Sequence, residues 1–450
     1  MDAPESVAPA KPMTAEIAYP ASANAGVIRQ VVVEMAARLA SPDLVQISVA
    51  AAARQAASDR LRFTRWQDHS LAQGYSGLAL VCGYLDRAFS ENGWDRIGHD
   101  YLRQAVAGLE RLPAVGGGLW GGVAGVAMAT DVLSRGGQRY AGLSAQLDAA
   151  ILAWAKTTAH GLCRDDCGLP VARFDLISGL VGVGCYLLGR GNCETARHGL
   201  RQVLSAIVAL ADGEAGLPRW FTPPQYLDAA NRARFPRGSL NCGLAHGVPG
   251  LLALLALAEL NGVAVRNGAT AMRRFADWLT LTSQEDEYGP TWPAIVPVGV
   301  REQPSRSRDG WCYGSPGVAR ALWLAGQAIP DKSMQELSVA AMKAVFARPA
   351  AARNIDSPTF CHGVAGLLGV TLQFARDSSD TCFAAATVSL SDQLIELYEP
   401  SSLLGYRSRE RGRVAIDQPG LLDGSPGVLL VLMAAIGGIA EDWGRPFLLR

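Results

Sequence analysis

Cys361 and His362 stand side by side in FCHGVAG, from Phe360 to Gly366, at the mouth of an apolar helical run. An adjacent thiol and imidazole, both able to ligate zinc, read as half of a metal site set at a helix start. The other half is legible upstream in WCYGSPG. Cys312 lies two residues before Gly314, as Cys361 lies two before Gly363. Taken singly, each of the three reads as a packed cysteine or a capping histidine. A cysteine-histidine pair with a second cysteine in the matching frame of the preceding segment favours the metal, because the frame itself brings them together. A further candidate for the same mouth is His246, one residue before Gly247. Asp175, four residues before Gly179, reads as a helix cap.

These residues need an element that repeats, and the chain supplies one. The pattern G-x-x-G occurs as GYSG (74–77), GVAG (122–125), GLVG (179–182), GVPG (247–250), GSPG (314–317), GVAG (363–366) and GSPG (424–427). A small, apolar run follows each copy, as expected of a helix surrounded by other helices. More amphipathic stretches alternate with them: Asp43–Arg60, Asp95–Leu112, Leu143–Ala159, Thr195–Leu210, Asn267–Thr282, Ser333–Ala347 and Asp380–Tyr398. The mean period of about 58 residues holds two helices and two loops. Seven such pairs predict an all-α fold, an α/α toroid with seven inner and seven outer helices. All seven motifs then lie at one end, where the inner helices start. The longest loops, 211–246 and 283–313, lead into the fourth and fifth copies and are expected to carry function. Residues 1–25, rich in Ala, Pro and Ser, read as a disordered tail, and 26–450 as one domain.

Composition narrows the function. Lys plus Arg and Asp plus Glu balance at 41 each, so no footprint for nucleic acid or anionic membrane is present. The longest apolar run, 427–440, falls short of the roughly 18 residues of a membrane span, and the opening residues lack the apolar stretch of a signal peptide. A cytoplasmic protein is expected. Nine cysteines at irregular spacing do not form a disulfide framework. Cys82, Cys185 and Cys382 read as core, Cys242 as packing near the mouth with a further metal ligand as the alternative, and Cys163 and Cys167 as core or a C-x3-C metal half-site without a partner pair.

Over most of the chain, from about Asp43, the sequence resembles the lanthionine synthetase C family, the zinc-dependent cyclases of lantibiotic biosynthesis. The resemblance rests on the seven glycine motifs together with FDLISG, NCGLAHG, SRDGWCYG and FCHG. It implies that Cys312, Cys361 and His362 hold zinc, leaving a fourth position for a substrate cysteine. It also implies that His246 transfers protons, that Arg308 stabilises an enolate, and that Asp175 and Tyr313 orient or relay. Trp311 would line the cavity, while Arg301 and Arg306 read as solvated loop cations. The reaction implied is addition of a peptide thiol to dehydroalanine or dehydrobutyrine in a dehydrated precursor peptide, closing a thioether ring. The partners implied are that peptide, a separate dehydratase and an exporter complex. No dehydratase or kinase module fits ahead of the first repeat. The 45 residues between Gly77 and Gly122 leave little room for an inserted leader-binding lobe.

Glutathione addition to dehydroamino acids uses the same ligands and stays open, as does a noncatalytic zinc scaffold for a dehydratase. A glycosidase-type toroid would need paired carboxylates where these frames present Cys and His.

Overall fold

The computed structural model describes residues 24–58, 65–164, 168–214, 217–300, 305–409 and 415–450. Most of the expected tail, Arg301 and Cys167 lie outside these residues, as does the Cys163 side chain. The described chain opens with α1 (Ala25–Leu39) and α2 (Pro42–Ser58). Six hairpin-like pairs follow: α3 (Tyr75–Ala88) with α4 (Trp94–Glu110), α5 (Val123–Leu133) with α6 (Ala141–Arg164), and α7 (Leu180–Gly189) with α8 (Glu194–Leu210). After the short α9 (Ala229–Arg234) come α10 (Val248–Leu260) with α11 (Gly268–Thr282), and α12 (Ser315–Ala328) with α13 (Lys332–Ala347). The last pair is α14 (Val364–Asp377) with α15 (Thr381–Glu396), and α16 (Ser425–Ala435) stands at the end.

Each inner helix begins within a G-x-x-G motif. The inner helices touch in the order α3, α5, α7, α10, α12, α14, α16 and back to α3, a closed ring. The fold is the α/α toroid. Burial explains the two helix classes: in α10 every residue from Val248 to Ala258 is buried, whereas α8 buries only the stripe Ala196, Gly199, Leu200, Val203, Leu204, Ala206, Ile207 and Leu210. Each outer helix packs on the inner helix it follows, because short turns such as 190–193 and 329–331 return the chain antiparallel.

That leaves α16 without a following outer α-helix among the described residues, and the N-terminal α1 fills the place. Arg38 donates to the Ser402 carbonyl at 2.6 Å and Tyr398 to Glu34 at 2.6 Å, tying the two ends of the chain together. The seventh outer helix is therefore Ala25–Leu39. The stretch from Asp43, expected to be the first outer helix, forms α2 beside α1 instead.

The axis is filled by the C-terminus. Phe447, Leu448 and Leu449 have no exposed surface, and Phe447 packs among Trp120, Trp311 and Phe360. Trp311 donates its indole N–H to the Phe447 carbonyl at 3.0 Å. It is fully buried and belongs to this plug, which corrects its expected place on the cavity wall. Cys82 and Cys185 are core residues as read. Cys382 is only half-buried, since it sits in the first turn of an outer helix capped by Asp380. No helix of the described residues is long and apolar enough to cross a membrane.

The second glycine of each motif is a contact point. A Cβ on Gly182 would come 2.2 Å from the Leu176 carbonyl oxygen and 2.7 Å from the Leu119 side chain of the preceding repeat. On Gly366 it would come 1.9 Å from the Phe360 carbonyl oxygen and 3.1 Å from Trp311 Cβ. Gly366→Ala is therefore expected to destabilise by about 3 kcal/mol or more in chemical denaturation. Gly142→Ala, an exposed helical position with nothing within 4 Å, should be neutral or slightly stabilising.

Candidate metal centre and its surroundings

The loops before the inner helices form a second, smaller ring, built of backbone. At six of the seven junctions the residue two places before the first glycine bonds to its counterpart in the next repeat around the ring, and at the third Leu176, one place earlier, is the donor. Ala72 N–H reaches the Trp120 carbonyl, Trp120 reaches Ile177, Leu176 reaches Ala245, and Ala245 reaches Cys312. Cys312 N–H then reaches Cys361 at 3.1 Å, Cys361 reaches Leu422 at 2.9 Å, and Leu422 returns to Ala72 at 3.1 Å. Two residues of equal frame in consecutive repeats are thus neighbours by construction, and Cys312 and Cys361 are such a pair.

The ligand-type atoms of Cys312, Cys361 and His362 all lie within 4.8 Å of one another. Donors at ~2.0–2.3 Å from a tetrahedral metal must stand ~3.5–4 Å apart, so the set fits such an ion without rearrangement of the backbone. Among the described residues no other group of three His, Cys, Asp or Glu side chains converges in this way. Cys242 does not join it. That thiol is buried, and burial pushes its proton affinity up.

The two thiols are hydrogen-bonded to each other. The hydrogen bond from Cys361 holds Cys312 well below the usual thiol range, against burial and with help from His362 and the charge of His246. The same hydrogen bond, with burial, pushes Cys361 well above it. The site is thus electrostatically suited to an anionic sulfur before any ion is considered, and the inner-helix N-termini that converge on this end act in the same sense.

His246 closes the next segment of the mouth. Its Nδ1 lies 2.7 Å from Asp175 Oδ2, while Asp175 Oδ1 accepts the backbone N–H groups of Ser178 at 2.8 Å and Gly179 at 2.9 Å. One carboxylate both ends the loop before α7 and orients the imidazole. Burial lowers the proton affinity of His246, but the hydrogen bond and charge of Asp175 outweigh it, so the net direction is upward. Asp175 has 2% of its side chain exposed and His246 34%, which leaves the ring as the reachable member of the pair.

Tyr313 stacks on His246 with ring centres 5.8 Å apart, and its hydroxyl accepts from Asn241 Nδ2 at 3.0 Å. Burial raises the affinity of its phenol for its proton. Arg308, Cys312, Tyr313 and His362 share the wall of a cavity of about 840 Å³. Arg308 makes no ion pair among the described residues, and its charge favours the Cys361 thiolate. Arg306, read as a solvated cation, is instead bound within the fold. It donates to Asp309 at 3.1 Å and to the Ala352 carbonyl, and Arg348 joins it against Asp286. Burial pushes the Asp309 carboxyl up to about 6 even against these arginines, and the cluster pins the loop that carries Arg308 and Cys312.

The two long loops form the near wall. Their short strands β1 (Gly213–Glu214) and β2 (Leu217–Pro218) pair locally, as do β4 (Gln284–Asp286) and β5 (Gly289–Thr291). Between them β3 (Ser239–Asn241) pairs antiparallel with β6 (Ile295–Pro297), Leu240 opposite Val296, which joins one loop to the other. Arg234 of α9 and Ile295 of β6 reach the cavity. Sequence reading anticipated these loops at the mouth but not their strands, which are too short to show a two-residue period.

Asn241 and Asp423 are polar residues at this mouth that residue-by-residue reading passed over. Asn241 lay within NCGLAHG, and Asp423 holds the frame position of His246 and His362 directly before a first glycine.

Comparison with known proteins follows the geometry. The family described as Lanthionine synthetase C-like protein matches residues 65–448. The nisin biosynthesis protein NisC of Lactococcus lactis subsp. lactis is 23% identical over 349 residues, covering 75% of this chain and 82% of that protein. A solved structure of nisin cyclase superposes with a TM-score of 0.73 at 21% identity, covering 90% of this chain and 96% of that one.

Proposed function

As this chain belongs to the lanthionine synthetase C-like family, we propose that it is a zinc-dependent lanthionine cyclase acting on a dehydrated, ribosomally made precursor peptide. The observation that carries this reading is the convergence of Cys312, Cys361 and His362 within 4.8 Å, beside the His246–Asp175 pair, with Cys312 and His362 on the same cavity wall as Arg308. Zinc held by the three would supply a Lewis acid at which a substrate thiol is a thiolate at neutral pH. Nisin cyclase and NisC, by their names, act in nisin biosynthesis, which supports a precursor peptide as the substrate here.

The residues divide the remaining work. A carbon–sulfur bond forms at the β-carbon of the dehydroamino acid while its C=C π electrons move toward the carbonyl. Arg308 answers the negative charge on the carbonyl oxygen without giving up its own proton. His246, in its protonated form, delivers the proton to the α-carbon. Asp175 and Tyr313 hold the imidazole in place. In this reading residues 26–450 act as one cyclase domain, supported by α1 closing the ring on α16, and the protein works in the cytoplasm after a separate dehydratase and alongside an exporter complex.

Atom balance supplies the test. Ring closure is an isomerisation, so a dehydrated cysteine-bearing peptide should lose its alkylatable thiols without change of mass. An adduct with added glutathione would mean the intermolecular reaction instead, and zinc content without either would mean a scaffold. The presence of the His246–Asp175 pair and Arg308 beside the metal ligands supports catalysis, since a scaffold requires only the metal.

Asp175→Asn removes the charge that outweighs burial at His246, so the imidazole should deprotonate at lower pH than in wild type. The alkaline limb of the kcat/KM profile is expected to move to lower pH, with a roughly 10²-fold loss at neutral pH. An unchanged limb would remove His246 as the titrating group.

A further inference from the structure

Asp423 has no part in the chemistry above. It stands directly before Gly424, in the frame position that His246, Tyr313 and His362 hold in their own loops. The seventh loop is bonded to the sixth through Cys361 N–H and the Leu422 carbonyl at 2.9 Å, which sets Asp423 beside His362. Asp423 Oδ1 lies 3.9 Å from His362 Nδ1, and Oδ2 is approached by the buried Gln73 Nε2 at 3.5 Å. Its side chain is 17% exposed. The helix that it precedes has no side-chain cap, so capping does not account for the carboxylate. Nor does it belong to the converging ligand set.

The arrangement mirrors the other histidine of the mouth. His246 is oriented by Asp175 from the loop before it, and His362 is faced by Asp423 from the loop after it. A metal-ligating histidine ordinarily donates its second ring N–H to a carboxylate, carbonyl or water, which sets its tautomer and raises its basicity as a ligand. We propose that Asp423 is the positioning residue of the metal ligand His362, accepting a hydrogen bond from its Nδ1–H so that the other ring nitrogen is presented to the ion. A side-chain movement of about 1 Å brings the pair from its present separation to hydrogen-bond length.

This inference rests on the metal reading, and its test separates the two. The full chain is stripped of metal, reloaded with one equivalent of zinc, and titrated with a chromophoric chelator, beside Asp423→Asn, Asp423→Ala and Asp423→Glu. Asp423→Asn and Asp423→Ala should hold zinc about 10- to 100-fold more weakly, and Asp423→Glu should recover part of the loss. The visible bands of the cobalt-loaded protein should shift in Asp423→Asn, while the metal-free variants melt as the metal-free wild type does. Unchanged affinity and cobalt bands in Asp423→Asn overturn the proposal with the metal site intact. Weakened binding matched by an equal fall in the melting of the metal-free protein makes Asp423 a structural residue and overturns it as well. A wild type that takes up no zinc removes the metal reading, and this inference with it.

Discussion

Cys361→Ala is expected to leave the protein folded, without zinc and without cyclase activity. The side chain supplies one of three converging donors, and two remaining ligands do not hold a tetrahedral site. The backbone of residue 361 keeps both of its ring hydrogen bonds, to Leu422 and from Cys312, so the crown of loops need not open. Loss of a Lewis acid worth several kcal/mol predicts a fall in kcat/KM of about 10³-fold or more. Removal of one sulfur also leaves Cys312 without the hydrogen bond that holds its proton affinity down. Two measurements check this together: zinc per chain by mass spectrometry, and thiol protection of a dehydrated peptide. A Cys361→Ala protein with full zinc and full ring closure would remove all three residues from the metal assignment. Wild type dialysed against a strong chelator should match the mutant and recover when zinc is restored, whereas the mutant should not.

His246→Asn separates the proton from the metal. Asparagine places an amide donor close to where Nδ1 stands, so the buried Asp175 carboxylate keeps a partner and the loop before α7 keeps its form. What is lost is the ring nitrogen able to carry a proton into the mouth. Turnover of a dehydrated peptide should fall by roughly 10²- to 10⁴-fold, with zinc content equal to wild type. The pH dependence attributed to His246 should disappear rather than move, in contrast to Asp175→Asn. A variant that keeps wild-type turnover would hand the proton transfer to another group, with Asp175 at 2.7 Å from Nδ1 and Tyr313 stacked on the ring as the neighbours to test.

The two cysteines and the histidine were legible because the frame that aligns them in sequence is the frame that aligns them in space. Equal position in consecutive repeats becomes adjacency through one backbone hydrogen bond, Cys312 to Cys361. Trp311 shows the limit of the same reasoning. It stands beside Cys312 in the same loop, yet its side chain turns to the axis and meets Phe447, which is 136 residues away. Neighbours in a loop alternate in direction, and a loop sequence has no periodicity to tell which one faces the cavity. Arg306 was misread for a related reason: its partners Asp286 and Ala352 come from other segments.

The sequence by itself determined the seven inner helices, six of the seven outer ones, the two classes and the end at which the motifs gather. Those follow from spacing and hydrophobicity, which are local properties that a chain carries before it folds. Only the tertiary structure decided that α1 closes the ring on α16, that the C-terminus plugs the axis, and that Asn241 holds Tyr313. Each of these joins residues whose separation in sequence has no fixed period, so no pattern in the letters records it. They are set by which surfaces remain unburied once the repeats have stacked, and that is known only when the ring is complete.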